Sequence, residues 1–241
     1  MDENRCSQIA NTLNKLPLSI GREQSEQFLQ YYNSLVQYNQ VMNLTAITDF
    51  EEVIVKHFLD SAALVNIIDL NKVETIIDVG TGAGFPGIPL KILFPHLKIT
   101  LLDSLQKRVK FLQTIAKELK MENIEVIHGR AEDLGQKKRY REQYDLCVSR
   151  AVANLSVLSE YCVPFVKVGG SFISYKAENI EEEVKSAESA IRILNCAPAQ
   201  IFKITLPESS GLTRSFIRIE KKESLAVKYP RKAGLPIKKP L

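Results

Sequence analysis

Thr75-Ile-Ile-Asp78-Val-Gly80-Thr-Gly82-Ala-Gly84-Phe-Pro-Gly87 is an apolar run that ends in an acid and then carries four glycines in eight positions. Ile76, Ile77 and Val79 are β-branched, as suits a central parallel strand covered on both faces. The glycines beyond them let the backbone turn sharply and approach a ligand closely. Pro86 suits the first turn of a following helix, where its missing N–H would have had no intrahelical partner. The stretch therefore reads as a buried strand running into a phosphate- or nucleoside-binding loop.

Gly82-Ala-Gly84-Phe-Pro-Gly87 also matches the G-x-G-x-x-G spacing of dinucleotide enzymes, with Asp103 nineteen residues beyond Gly84. Asp78 weighs against that reading, because a carboxylate at the strand end would face a pyrophosphate. S-adenosylmethionine has no phosphate and carries an ammonium and a sulfonium, which a carboxylate suits. Asp78-x-Gly80-x-Gly82-x-Gly84 accordingly resembles the first motif of the Rossmann-like methyltransferases. A tight turn with no ligand is the remaining alternative, and the density of glycines counts against it.

At 241 residues with 45% hydrophobic side chains, the chain suits one α/β domain and a small extension. We expect a helical extension over 1–70, the cofactor-binding domain over 71–222 and a basic, proline-containing tail over 223–241. No apolar run is long enough to span a bilayer and no signal-peptide pattern opens the chain, so the expected address is cytoplasmic with no membrane partner. Cys6, Cys147, Cys162 and Cys196 form no C-x-x-C pair, and His57, His96 and His128 are dispersed. Reduced thiols and no metal site are expected. Seven cations against one acid, Glu223, lie between Lys221 and Leu241, which exceeds the net +4 of the whole chain. Such a tail, with Arg231 and Lys232 at its centre, suits a polyanion partner, a solvated solubilising tail being the alternative.

In the first seventy residues, Phe28, Leu29, Tyr32, Leu35 and Val36 fall on one face of a helix over Glu26–Tyr38. Thr48 and Glu51 make a plausible capping box for a second helix striped by Ile54, Val55, Phe58, Leu59, Ala62 and Val65. His57, Asp60 and Ser61 on that helix have the residue types of a triad. They lie in a row without an oxyanion loop, so packing and local hydrogen bonding are expected of them.

From Val73 onward strands and helices alternate, the pattern of a parallel sheet covered on both faces. Lys98–Asp103 is a second strand ending in an acid placed to take ribose hydroxyls; a cap for the next helix is the alternative, although Ser104 could also supply it. The helix Leu105–Lys120 carries Lys107, Arg108 and Lys110 near its start, where cations oppose the macrodipole by roughly 0.3–1 kcal/mol each. Lys107 and Arg108 are therefore read as contacts to nucleic-acid phosphates, ordinary surface charge being the alternative. A third strand, Ile124–His128, leads to Ala131 and Glu132, where an acid can accept from the exocyclic amine of adenine. The fourth strand begins at Tyr144 and ends in Ser149-Arg150-Ala-Val-Ala153.

No Asn/Asp-Pro-Pro-aromatic segment follows that strand, and no Pro-Cys nucleophile. An acceptor with its own lone pair, such as guanine N7, needs neither, and catalysis then reduces to proximity and orientation. A bidentate arginine on guanine O6 and N7 would cover the atom to be methylated. Arg150 should thus hold the cofactor carboxylate, a phosphate, or O6 alone, with a structural salt bridge as the alternative. A helix Leu155–Val166, a turn Lys167–Gly170, a strand Ser171–Tyr175 and a helix Ile180–Leu194 follow. Gln200–Leu206 and Thr213–Ile219, joined through Pro207–Gly211, suit a closing antiparallel hairpin. The tail with its prolines is expected extended or partly disordered.

Asn39–Thr48, His57-Phe-Leu-Asp-Ser61, Asp78–Pro89, Ser149–Ala153 and Pro230-Arg-Lys-Ala-Gly-Leu-Pro236 together resemble the bacterial ribosomal RNA small-subunit methyltransferase G family, formerly called glucose-inhibited division protein B. The resemblance covers essentially the whole chain. It implies a Rossmann-like class I methyltransferase with a mostly parallel seven-stranded sheet ending in an antiparallel hairpin. It also implies S-adenosyl-L-methionine as cofactor and guanine N7 in the decoding-region loop of 16S ribosomal RNA as acceptor; 16S ribosomal RNA, free or in the 30S subunit, is the expected partner, and a monomer the expected state. Cofactor contacts are carried onto Gly80, Phe85, Ala131, Glu132 and Arg150, beside Asp78, Gly82, Gly84 and Asp103 from the strand pattern. A non-catalytic RNA-binding assembly factor on the same fold is the alternative, and an NAD-linked oxidoreductase is disfavoured by Asp78 and the hairpin.

Overall fold

The computed structural model describes residues 2–150, 152–177, 180–207 and 211–241. The strands are β1 (Thr75–Val79), β2 (Lys98–Asp103), β3 (Ile124–His128), β4 (Tyr144–Arg150), β5 (Val166–Lys176), β6 (Gln200–Thr205) and β7 (Thr213–Glu220). They form one sheet in the order β3-β2-β1-β4-β5-β7-β6. All neighbours are parallel up to β5, and β7 runs antiparallel to both β5 and β6. The strand order reverses between β1 and β4, which opens a crevice at the carboxyl ends of those strands.

Ahead of β1 lie α1 (Glu3–Leu13), α2 (Arg22–Met42) and a helical rod made of α3 (Phe50–Val53), a π-helical turn (Ile54–Leu59) and α4 (Asp60–Ala62). After it come α5 (Gly87–Leu93), α6 (Gln106–Glu118), α7 (Ala131–Leu134), α8 (Leu155–Cys162), α9 (Glu181–Ile193) and α10 (Leu235–Lys238). Apolar periodicity decides which side of each helix is covered. Val109, Leu112 and Ile115 of α6 are buried, while Lys110 and Gln113 face water. One core lies between the N-terminal helices and one sheet face and includes Phe28, Tyr31, Phe58, Ile76, Phe85 and Leu101. The other covers the opposite face with Ile77, Cys147, Leu158, Phe172 and the tail residues Leu225 and Tyr229.

Several local expectations are displaced. The rod is capped by Asp49, whose carboxylate accepts from Glu52 N–H at 3.0 Å, instead of by Thr48, whose carbonyl accepts from the Tyr32 hydroxyl. Pro86 stands just ahead of α5 as its cap residue, and Gly87, the first helical residue, donates its otherwise orphaned N–H to Asp78 Oδ2. The expected turn Lys167–Gly170 is a bulge inside β5: Tyr144 and Leu146 on β4 lie opposite Val166 and Ser171. Residues 208–210 of the expected hairpin turn, and residue 151 after β4, lie outside the described residues.

The tail departs most from expectation, since it packs back onto the body and closes with α10. Arg231 forks onto Glu160 (2.6 and 2.8 Å), a carboxylate buried in α8. Arg141 donates to the Tyr229 and Leu225 carbonyls at 2.6 and 2.8 Å, tying down the chain just before it. Composition favoured an extended chain, but desolvated ion pairing and carbonyl capture outweigh it.

Candidate active site

The loop between β1 and α5 is held from within. Gly80 and Thr81 N–H donate to the Leu102 carbonyl at 2.8 and 3.2 Å, and Gly84 and Phe85 N–H to the Thr81 carbonyl at 2.9 and 3.0 Å. Gly82 N–H donates to Asp103 Oδ2 and Gly87 N–H to Asp78 Oδ2, each at 2.9 Å. A loop that cradles pyrophosphate presents its amides to the ligand. Here the amides of Gly80, Thr81, Gly82, Gly84, Phe85 and Gly87 are engaged by the protein, which weakens the physical support for the dinucleotide reading.

Asp78 lies beneath the loop and is fully buried. Its Oδ2 also accepts from the Thr81 hydroxyl at 2.7 Å, whereas Oδ1 is buried with no hydrogen-bond partner among the described residues. Burial pushes the acid up to about 7, against the opposing pull of the Thr81 and Gly87 bonds. Gly84 has φ +106°, and a Cβ there would meet Ile88 at 2.5 Å and the Tyr31 hydroxyl at 2.8 Å. That hydroxyl, reaching in from α2, donates to the Ala83 carbonyl at 2.6 Å. The N-terminal helices thus brace the back of the loop.

On the outer side of the loop a cavity of about 360 Å³ opens at the ends of β1, β2 and β3. Gly80, Asp103, Ala131 and Glu132 line it, with Val152 and Tyr161 on one wall and Gly234 and Ile237 of the folded tail on another. Asp103 is buried and accepts from Gly82 N–H and from Leu105 N–H at 2.9 and 2.8 Å, so it joins the glycine loop to the turn after β2. Glu132 is buried and accepts from Gly234 N–H at 2.9 Å, so it joins the turn after β3 to the tail. Burial, then the nearby Glu132, pushes the Tyr161 phenol up to about 12, which keeps it a neutral donor.

On the far side of the β1–β4 edge lies a second cavity of about 350 Å³, lined in part by His57, Asp60, Arg150, Tyr175 and Arg214. Asp60 accepts from Arg150 Nη1 and from Arg214 Nε, both at 2.7 Å. The Arg150 guanidinium sits 5.0 Å from the Phe85 ring centroid, and His57 stacks on the same ring with centroids 4.5 Å apart. Burial, then Arg150, lowers His57 to about 4, so it is neutral at physiological pH. Its nitrogens face Thr45 Oγ1 at 2.9 Å and the Lys56 carbonyl at 3.1 Å, an arrangement met by Nδ1–H donating to Lys56 and Nε2 accepting from Thr45.

The model of the family described as rRNA small subunit methyltransferase G matches residues 24–210. A relative named ribosomal RNA small subunit methyltransferase G from Alkaliphilus metalliredigens is 52% identical over 227 residues, covering 94% of this chain and 95% of its own. One of the same name from Brevibacillus brevis is 47% identical over 234 residues, covering 97% and 98%. This chain belongs to the rRNA small subunit methyltransferase G family. In fold it is similar to the S-adenosylmethionine-dependent methyltransferase SibL (TM-score 0.55, 12% identity, 84% of this chain and 74% of that one). It is also similar to an S-adenosylmethionine-dependent O-methyltransferase from Thermotoga maritima (TM-score 0.52, 14% identity, 80% and 73%).

Within this family member the expected site residues divide. Gly80, Asp103, Ala131 and Glu132 share the first cavity, and Gly82 is tied to its wall through Asp103. Gly84 and Asp78 shape the loop from behind. Phe85 and Arg150 stand together beside the second cavity. Of the cations assigned to RNA, Lys107 donates to the Met42 carbonyl at 2.8 Å, and Arg108 lies 3.4 Å from Asp103. Arg231 is taken up by Glu160, and Lys232 is exposed. Sequence reading missed Arg214, which sits 64 positions beyond Arg150 on an antiparallel strand. It also set aside His57 and Asp60, although their i, i+3 spacing on one helix face was a signal that they look the same way.

Among the described residues no group of His, Cys, Asp and Glu could hold a metal ion, and no helix is long and apolar enough to cross a membrane.

Proposed function

We propose that this protein transfers a methyl group from S-adenosylmethionine to N7 of a guanine in 16S ribosomal RNA. The observation that carries the reading is the glycine loop whose amides are engaged internally, set beside a cavity walled by the buried acids Asp103 and Glu132. Such a wall accepts hydrogen bonds and has little to offer a pyrophosphate, which suits a nucleoside bearing ribose hydroxyls and an adenine amine. Asp103 and Glu132 each keep lone pairs beyond their backbone partners with which to accept from ribose and adenine. The family's printed name supports RNA as acceptor.

When bound, the cofactor supplies an electrophilic methyl carbon: the N7–C bond forms as the C–S bond breaks, and its electron pair stays on sulfur. The chain's own part is to bind, align and exclude water. The groups nearest Arg150 suit an acceptor that needs no base. His57 is neutral with both ring nitrogens facing local partners, and both Asp60 oxygens accept from arginines. Neither is free to take a proton from an amine, and N7 has none to give.

The test is transfer of labelled methyl from S-adenosylmethionine to 16S RNA and to 30S subunits, followed by strand scission at N7-methylated guanine. Label at one scissile guanine is expected. Cofactor binding without any transfer would replace the enzyme by a non-catalytic RNA-binding protein on the same fold.

A further inference from the structure

The second cavity is built differently from the first. Four elements bring cations to it: Lys56 from the π-helical turn, Arg150 from β4, Lys176 from β5 and Arg214 from β7. Lys56 is paired with Glu52, and Lys176 with Glu183 at 2.7 Å and with the Ala153 carbonyl at 2.7 Å. The acid at its floor, Asp60, has a side chain only 3% exposed and gives one oxygen to each arginine. The Asp60–Arg150–Arg214 group therefore keeps one net positive charge, while the shared carboxylate fixes the direction of both guanidiniums. The Arg214 side chain remains 20% exposed toward the cavity, and its Nε is the atom held by Asp60. Among the described residues its two Nη groups have one further contact, 3.5 Å between Nη1 and the Thr213 carbonyl, which leaves the fork able to take a ligand.

A ligand meeting this wall must accept hydrogen bonds and carry negative charge. A guanine edge mixes donors with acceptors, and Asp60 has no exposed oxygen edge to meet the donors. A phosphodiester only accepts, and the planar fork of an arginine matches two of its oxygens. We propose that the second cavity seats a backbone phosphate of the RNA substrate on Arg214, with Asp60 as the positioning residue that aims that guanidinium beside Arg150. This deepens the RNA reading above and rests on it. It places a phosphate grip on the closing hairpin, across the sheet edge from the cofactor cavity, where it would fix the register of the RNA without reading its sequence.

The test compares wild type, Arg214→Gln and Arg214→Lys in the full chain by three readouts. These are cofactor Kd by calorimetry, KM for 16S RNA or 30S subunits in methyl transfer, and RNA affinity between about 50 and 200 mM salt. Arg214→Gln is expected to raise KM about tenfold and to lower the slope of log affinity against log salt by roughly 0.7–0.9, the loss of one phosphate contact. Cofactor Kd should stay as in wild type. Arg214→Lys should keep the slope but raise KM several-fold, because an ammonium lacks the fork. A wild-type slope and KM in Arg214→Gln would overturn the proposal, and so would a defect confined to cofactor Kd. Should Arg214→Gln fail to fold, a wild-type KM in Arg214→Lys overturns it alone. Wild-type protein that binds RNA without transferring methyl sinks the enzyme reading, while the change in salt slope still decides the phosphate contact.

Discussion

Each glycine of the loop answers a different demand, and the demands predict different costs. At Gly84 a Cβ would strike Ile88 and the Tyr31 hydroxyl inside the core at φ +106°. Gly84→Ala should lose about 2–4 kcal/mol in urea denaturation, combining backbone strain with overpacking. At Gly80, φ +72°, the clash is with Val152, a half-exposed side chain that can turn away. Gly80→Ala should cost only about 1 kcal/mol of stability, while weakening cofactor affinity more than Gly84 strain alone would, because the added methyl and the turned Val152 both stand at the cavity. A Gly80→Ala protein with unchanged cofactor Kd would remove Gly80 from the site. Asp78 adds a pH signature. Its acid is pushed up to about 7 from an ordinary value near 3.8, so the fold disfavours its charged form. Below about pH 4 it subtracts nothing; as pH rises from there to about 7 it subtracts progressively more, on the order of 2–4 kcal/mol. Asp78→Asn should therefore gain stability relative to wild type between pH 4 and pH 7, read as the difference in urea midpoints. His57 works in the other direction: lowered to about 4, it removes stability as pH falls from about 6.5 toward 4.

At the scale of elements, the tail and the π-helical turn place groups that neither could hold by itself. Glu160 has a side chain 1% exposed and owes its compensation to the Arg231 fork. Arg231→Ala leaves that carboxylate buried and unpaired, which should cost about 3 kcal/mol or more. Release of the tail should also speed proteolysis after Lys222 and weaken cofactor binding, since Gly234 and Ile237 wall the first cavity. Wild-type protease resistance in Arg231→Ala would show that Arg141 and the apolar contacts suffice. In the rod, the π-helical turn Ile54–Leu59 carries His57 and hands on to Asp60, and such turns recur where a helix must re-aim its side chains. Lys107 sits near the start of α6, where the macrodipole disfavours it, yet its ammonium donates to the last carbonyl of α2. That contact offsets the local penalty, so the unfavourable charge is by itself weaker evidence for RNA than its position suggested.

At the scale of the molecule, one continuous core joins the N-terminal helices to the sheet, and the chain should unfold as one unit. Helical ellipticity and tyrosine fluorescence, the latter available without interference because the chain has no tryptophan, should share one urea midpoint. Separate midpoints would show that residues 1–70 fold independently. The alternation of apolar runs, the turn glycines and the acids at strand ends were enough to read the order of the strands in the chain and the closing antiparallel pair, although β5 begins five residues before the expected Ser171 because its glycine turn is a bulge within the strand. These are consequences of side-chain periodicity and backbone freedom, which act within a few residues. That Gly80, Asp103, Ala131 and Glu132 line one cavity follows from the same pattern, since in a parallel sheet every strand end on one edge meets at the same crevice. What lay beyond the sequence was every choice between competing partners. That Asp78 is buried on the Gly87 amide and the Thr81 hydroxyl, that Arg231 reaches onto Glu160 instead of into solvent, and that Asp60 anchors two arginines are outcomes of burial. Desolvation makes one pairing far stronger than its rivals, and only the packed chain determines which groups are desolvated together.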